Sequence, residues 1–498
     1  MPPFISLINV IPRIFGTNFS QPIKWEIHNG EIWTIAGANG SGKSLLADVI
    51  CGRYGLKEGY VQYHFIDKIK QESGSEEHIW PEQFIKTVRF NSAYSMADFR
   101  EMYYQQRFHS TEVEDIPSVS DILNGKNSDA DSVHRVISLM NIGRLKNRRL
   151  IHLSSGELRR FIIACILLDN PRMLIFDNPF IGLDIESRQQ LNEIFTRLNN
   201  NGIQLLFLIP SISDIPECTG HIITMQDCGI TYKGLLTKGL STSDIKKDTT
   251  HSNVIKFDSA TRQVPPKIDW NNIPPVAGTS FNVAVEMENL DITYGDTVIN
   301  KGINWKILKG EKWALSGPNG SGKSTLLSYI FADHPQSYAK KLTLFDKRRG
   351  SGESIWDIKK RIGFTSSELH LYYRENVSCI NVAESGFFDS IGVYRHCSPE
   401  QSETARYIFE ILSISHIKNS SFLKVSSGEQ RMVLFARSLV KNPDLLILDE
   451  PFHGLDDRNK EVCLKTIESY CSQKDKTIIY VTHRREEIPN SVSRFLEL

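Results

Sequence analysis

Gly317-Pro318-Asn319-Gly320-Ser321-Gly322-Lys323-Ser324 is a complete G-x-x-x-x-G-K-S phosphate loop, and the chain carries a second at Gly37-Ala38-Asn39-Gly40-Ser41-Gly42-Lys43-Ser44. Glycines at these spacings let consecutive backbone N–H groups wrap a β-phosphate. The lysine reaches the β- and γ-phosphates, and the serine hydroxyl suits Mg²⁺. Leu45 and Thr325, next along, extend each candidate nucleotide-binding stretch.

Working outward, the two copies stay in step but are not equivalent. Lys43 and Lys323 are 280 positions apart. Ser154-Ser155-Gly156-Glu157 matches Ser426-Ser427-Gly428-Glu429 at an offset of 272, and Asp177 matches Asp449 at the same offset. Gly182-Leu183-Asp184 and Gly454-Leu455-Asp456 repeat it once more. Features sharing one offset mark a duplicated domain. The second copy ends a strand in Leu446-Ile447-Leu448-Asp449-Glu450, whereas the first ends in Leu174-Ile175-Phe176-Asp177-Asn178. Carboxylate has become amide, which predicts one catalytic and one binding site.

The local pattern predicts strands at 32–36 and 312–316 feeding the loops, and helices at 44–50 and 324–331 whose N-termini face the phosphates. Apolar runs at 172–176 and 445–448 predict strands buried on both faces of a parallel sheet. Residues 158–168 and 430–440 mix apolar and basic side chains at helical spacing. The expected organisation is a first domain at 1–240, a polar linker at 241–282 containing Pro265-Pro266 and Pro274-Pro275, and a second domain at 283–498.

Composition narrows the class. Acidic and basic residues number 58 each, so no global positive field favours nucleic acid. No apolar run reaches about 18 residues, and the N-terminus lacks the pattern of a signal peptide. Eight scattered cysteines without a C-x-x-C read as buried free thiols, and no histidine cluster has metal-ligand spacing.

The ordered set of phosphate loop, Ser-Ser-Gly-Glu, Asp-Glu strand end, Gly-Leu-Asp and Val481-Thr482-His483 resembles a tandem ABC-type ATPase over nearly the whole chain outside the linker. More narrowly, the run from Asp333-His334-Pro335-Gln336 to Ser354-Ile355-Trp356-Asp357-Ile358-Lys359-Lys360 resembles the bacterial ModF-like branch, labelled molybdate-transport or photorepair ATP-binding proteins. The resemblance implies an α/β fold: two P-loop NTPase domains, each a mostly parallel sheet core with an antiparallel β subdomain and a helical subdomain. It also implies head-to-tail pairing. One composite ATP site would join Lys323, Ser324, Asp449, Glu450 and His483 to Ser154, Ser155 and Gly156. The other would join Lys43, Ser44 and Asp177 to Ser426, Ser427 and Gly428.

Carried onto these residues, Glu450 orients and deprotonates the attacking water, His483 contacts the γ-phosphate, and Lys323 neutralises charge. Ser324 with Asp449, and Ser44 with Asp177, would hold Mg²⁺. Alignment of Glu487-Ile488-Pro489 with Asp214-Ile215-Pro216 puts Pro210 opposite His483, a further departure in the first copy. The family's glutamine-loop positions read Ser92 and Ser367 here, with Gln105 and Gln106 as alternatives for the former. Tyr294 is the expected adenine-stacking ring of the second copy; for Phe15, stacking and core packing are both open.

Two functional readings follow. In the first, the chain is a cytoplasmic ATP-binding subunit, peripheral on the inner face of the cell membrane, that hydrolyses Mg-ATP for a permease of molybdate or a related oxyanion. In the second it is a non-transport switch acting on ribosome, nucleic acid or a regulatory complex. The missing glutamines favour the second. The linker's lack of a long basic helical arm, and the absence of zinc-ligand cysteines and coiled coil, count against its ribosomal, repair and chromosomal versions.

Overall fold

The computed structural model describes every residue except 1, 15–18, 75–78, 90–116, 128, 151–152, 237–267, 275–279, 295–296, 332, 367–368, 370–372, 374 and 393–394. The described residues form two compact units, the first running to residue 236 and the second starting at 268.

In the first unit one sheet has the order Ile85–Arg89, Met173–Asp177, Gln204–Ile209, Ile32–Ala36, His221–Gln226, Gly229–Leu235. Only the last pair is antiparallel. The second unit repeats the plan with five parallel strands, Ile362–Ser366, Leu445–Asp449, Thr477–Val481, Lys312–Ser316 and Arg494–Glu497. Each unit adds an antiparallel sheet. Pro3–Pro12 lies between Ile23–His28 and Leu56–Tyr63 in the first; in the second the order is Thr297–Leu308, Val283–Tyr294, Leu342–Leu344, Lys347–Arg348.

The continuous apolar runs make sense once the two faces are separated, because alternate strand residues point to opposite sides. Leu446, Leu448, Ile478 and Tyr480 pack against the helices Cys379–Glu384, Pro399–Ile411, Ser427–Leu439 and Asp457–Cys471. Leu445, Ile447, Ile479 and Val481 face the other way, onto the helix Lys323–Ile330 and the antiparallel sheet. The first unit divides likewise, with Leu174, Phe176, Leu205 and Phe207 on the helical side and Met173, Ile175, Leu206 and Leu208 on the other. Both faces are covered, so no polar alternation is tolerated.

The boundaries move slightly from expectation. The helices read at 158–168 and 430–440 are Ser155–Leu167 and Ser427–Leu439, starting three residues earlier because Ser154 and Ser426 cap them. The strand read at 172–176 is Met173–Asp177, so the aspartate closes the strand. Inside the segment read as linker, residues 268–274 dock on the second unit. Trp270 packs edge-on against Tyr470 at 5.6 Å between centroids, and Ile273 is buried. Among the described residues no helix is long and apolar enough to cross a membrane. All eight cysteines are free, six of them buried.

Candidate active site

Each phosphate loop joins a central strand to a helix, Ile32–Ala36 to Lys43–Ile50 and Lys312–Ser316 to Lys323–Ile330. In both sheets the loop strand lies between strands that come later in the chain, the switch-point geometry where open α/β sheets bind ligands. Gly42 and Gly322 precede the helices at φ 96° and 92°, a left-handed backbone that only glycine takes cheaply. Neither helix has a side-chain cap, so its first-turn amides stay available to an anion. Gly37 is fixed by space, since a Cβ there would fall 2.4 Å from the Met225 carbonyl oxygen.

The lysines tie the loops together. Lys43 Nζ donates to the carbonyls of Gly37 and Ala38 at 2.6 and 2.7 Å, and Lys323 Nζ to those of Gly317 and Pro318 at 2.7 and 2.8 Å. Both are buried, whereas the adjacent Ser44 and Ser324 are exposed.

On the next strand but one from the loop strand, Asp449 stands in register with Ser366 on one side and Val481 on the other. Glu450 follows at φ 52°, its N–H donating to the Val481 carbonyl at 3.0 Å. Its carboxylate is buried between two imidazoles, with Oε2 3.0 Å from His453 Nε2 and Oε1 3.3 Å from His483 Nε2. Burial pushes the Glu450 carboxyl pKa up, but His453, His483 and Lys323 outweigh burial and hold it below the usual glutamate range. A small recess beside it is lined by Thr365, Ser366, Arg431, Asp449 and Pro451. Burial pushes the Arg431 guanidinium down to about 10.

The first unit preserves the scaffold with different side chains at the strand end. Asp177 pairs in register with Leu208, and Asn178 sits at φ 49° donating to the Leu208 carbonyl at 3.0 Å. Two residues beyond Leu208 stands Pro210, where the second unit has His483 two beyond Val481. The short turns that follow, Ile212–Asp214 and Arg485–Glu487, end in carboxylates paired to Arg188 and Lys460 at 3.0 and 3.6 Å.

The signature residues form helix caps. Ser154 Oγ accepts from the Glu157 amide at 3.3 Å while Ser154 N–H donates to the Glu157 carboxylate at 2.8 Å; Ser426 and Glu429 repeat both distances. A Cβ on Gly156 would come 2.8 Å from Ser187 Oγ. Ser155, Ser427 and Gly428 lie in the first turns of the two helices.

The structure thus brings Lys323, Asp449, Glu450 and His483 to one sheet edge, and Lys43 and Asp177 to the equivalent edge of the first unit. Phe15, Ser92, Gln105, Gln106 and Ser367 lie outside the described residues. Tyr294 ends a strand, but its side chain is also outside the description. His453 escaped the sequence reading. The available signal was Pro451-Phe452-His453-Gly454 set against Pro179-Phe180-Ile181-Gly182.

Comparison with known proteins agrees with this geometry. The family model described as ABC transporter matches residues 20–181 and 300–453, more than half of the chain. The ABC transporter ATP-binding protein ModF of Escherichia coli (strain K12) is 33% identical, spanning 97% of this chain and 94% of its own length. An ABC transporter ATP-binding protein of Schizosaccharomyces pombe is 29% identical, over 95% and 93%. Among solved structures, the ribosome-bound archaeal Pelota and ABCE1 assembly superposes with a TM-score of 0.60, covering 98% of this chain and 76% of that one at 17% identity, a likeness of fold. The chain belongs to the ABC transporter family, as an ATP-hydrolysing protein with a tandem pair of that family's domains.

Proposed function

We propose that ATP turns over chiefly at the second unit's site, that the first unit binds nucleotide with little turnover, and that the cycle works a separate partner. The observation that supports this is the strand-end turn, which holds a buried carboxylate between two imidazoles at Glu450 and an amide at Asn178. In this reading Lys323 and the loop amides hold the phosphates, and Glu450 takes the proton of the attacking water while His483 aligns it. Ser324 and Asp449 offer the hard oxygen donors that suit Mg²⁺, and the Ser324 hydroxyl is exposed to meet it. When bound, the ion neutralises phosphate charge. Lys43, Ser44 and Asp177 retain the binding set in the first unit, but the amide of Asn178 cannot accept a proton at neutral pH.

For the partner we propose a membrane permease, with the chain cytoplasmic and peripheral to the inner face of the cell membrane. The cargo proposed is molybdate or a related oxyanion. Support comes from the likeness to ModF and to its branch. One observation favours the rival switch on ribosome, nucleic acid or a regulatory complex: the sequence has serine at 92 and 367, where the family's transport-coupling glutamines are expected. Affinity capture of the Glu450→Gln variant with ATP from native cells, read by mass spectrometry, separates them. Enrichment of an integral membrane permease over a Lys323→Ala control supports transport; ribosomal or DNA-associated proteins without a permease support the switch.

A further inference from the structure

We propose that His453 is a positioning residue for the hydrolytic step, clamping one oxygen of Glu450 so that the other is presented to the water. The inference rests on the reading of Glu450 as the base. Nothing in the motif spacing requires an imidazole at this position.

Three observations carry it. First, the geometry is that of a clamp. His453 Nε2 lies 3.0 Å from Oε2 and His483 Nε2 lies 3.3 Å from Oε1, so the two rings approach different oxygens of one buried carboxylate. A glutamate has three side-chain torsions, so holding one carboxylate oxygen restricts where the other can lie.

Second, the far nitrogen of the ring has no competing partner. His453 Nδ1 is buried with no hydrogen-bond partner. A proton placed there in the neutral ring would be stranded, at a cost comparable to that of any unpaired buried donor. The Nε2–H tautomer and the imidazolium both carry a proton on the nitrogen that stands 3.0 Å from Glu450 Oε2, so the charge contact does not depend on which of the two is present.

Third, the imidazole is not needed for the backbone. In the first unit Ile181 occupies the equivalent position, and its N–H reaches the Asn178 carbonyl at 3.4 Å, as that of His453 reaches the Glu450 carbonyl at 3.3 Å. The turn therefore closes with an aliphatic side chain. What the first unit lacks is the whole polar constellation: Asn178, Ile181 and Pro210 stand where the second has Glu450, His453 and His483. The clamp is absent where there is no carboxylate to hold.

The test is steady-state ATP hydrolysis by the full-length His453→Phe, His453→Gln, Glu450→Gln and His453→Phe/Glu450→Gln variants, with thermal melting and nucleotide binding measured in parallel. Loss of positioning at a reacting centre is worth up to about 100-fold. The expected result for His453→Phe is a kcat lower by about 10- to 100-fold with KM for ATP within about twofold. His453→Gln, whose amide can donate toward the same oxygen, recovers most of the loss. The double variant is no slower than Glu450→Gln alone, because His453 acts only through that carboxylate. Wild-type kcat in His453→Phe, or a loss that multiplies with that of Glu450→Gln, overturns the proposal. If Glu450→Gln itself turns over at the wild-type rate, the assignment of the base has failed and the clamp fails with it. A fully active His453→Phe beside an inactive Glu450→Gln overturns the clamp alone.

Discussion

Asn178 and Glu450 hold the same left-handed turn, at φ 49° and 52°, each with its N–H bonded to the neighbouring strand's carbonyl at 3.0 Å. Asparagine is among the few non-glycine residues enriched in this conformation, whereas for glutamate it costs energy. The site expected to hydrolyse therefore carries the less comfortable residue. Strain retained at such a position is the mark of a side chain kept for its chemistry.

Replacing Glu450 with Asn should accordingly raise stability while abolishing turnover. The expected gain is about 1 kcal/mol, from relief of backbone strain. Thermal unfolding of the nucleotide-free protein measures it. A lower melting temperature would contradict the strain argument, leaving the catalytic one intact.

Glu450→Gln keeps the shape of the site and removes the proton acceptor. Hydrolysis should fall by about 10²–10⁴-fold, the usual worth of general-base catalysis, with nucleotide affinity retained. Paired turnover and binding measurements decide it.

The two phosphate-loop lysines should be unequal in turnover. Lys323→Ala is expected to remove nearly all hydrolysis, and Lys43→Ala to weaken nucleotide binding while leaving a larger residual rate. Equal losses, with similar product release from both sites, would remove the asymmetry.

Gly37→Ala should damage the first unit's loop without touching the second. The added Cβ would meet a backbone carbonyl at 2.4 Å, which cannot rotate aside as a side chain does. Loss of one of two nucleotide equivalents, counted by equilibrium binding, is the outcome expected. Retention of both would mean the loop can shift by that amount.

Away from the sites, Lys476 gives a pH test. Burial pushes its ammonium from the ordinary 10.5 down to about 8, while Nζ donates to the Asn442 and Pro443 carbonyls at 2.6 and 2.9 Å. Between these two pH values the unfolded chain binds the proton that the folded one has released, so stability from this group rises with pH. The stability of wild type minus that of Lys476→Met should climb between pH 8 and 10.5, on the order of 3 kcal/mol, and be flat below pH 8. Denaturant unfolding across that range measures the difference, and a flat line would show an unshifted lysine.

Much of this was legible because it is local. Phosphate loop, strand end and signature each fix their chemistry by spacing along the chain, and the apolar runs at 172–176 and 445–448 are long enough to declare buried parallel strands. The helical spacing over 158–168 and 430–440 starts three residues after the helices themselves do, because the polar first turns capped by Ser154 and Ser426 carry no apolar period. His453 was missed for a different reason. Its meaning appears only when a left-handed turn folds its ring back onto a carboxylate three residues earlier, which no periodicity records.

The docking of Trp270 and Ile273 bears on how the halves can be separated. Asn442 Nδ2 donates to the Ile273 carbonyl at 2.9 Å, and the Asp269 N–H to Tyr407 Oη at 3.0 Å. A fragment cut at residue 283 would discard these partners and leave the Tyr470 face and the Asn442 amide open to water, inviting aggregation that says nothing about the domain's competence. Beginning the fragment at 268 keeps its own hydrophobic plug in place.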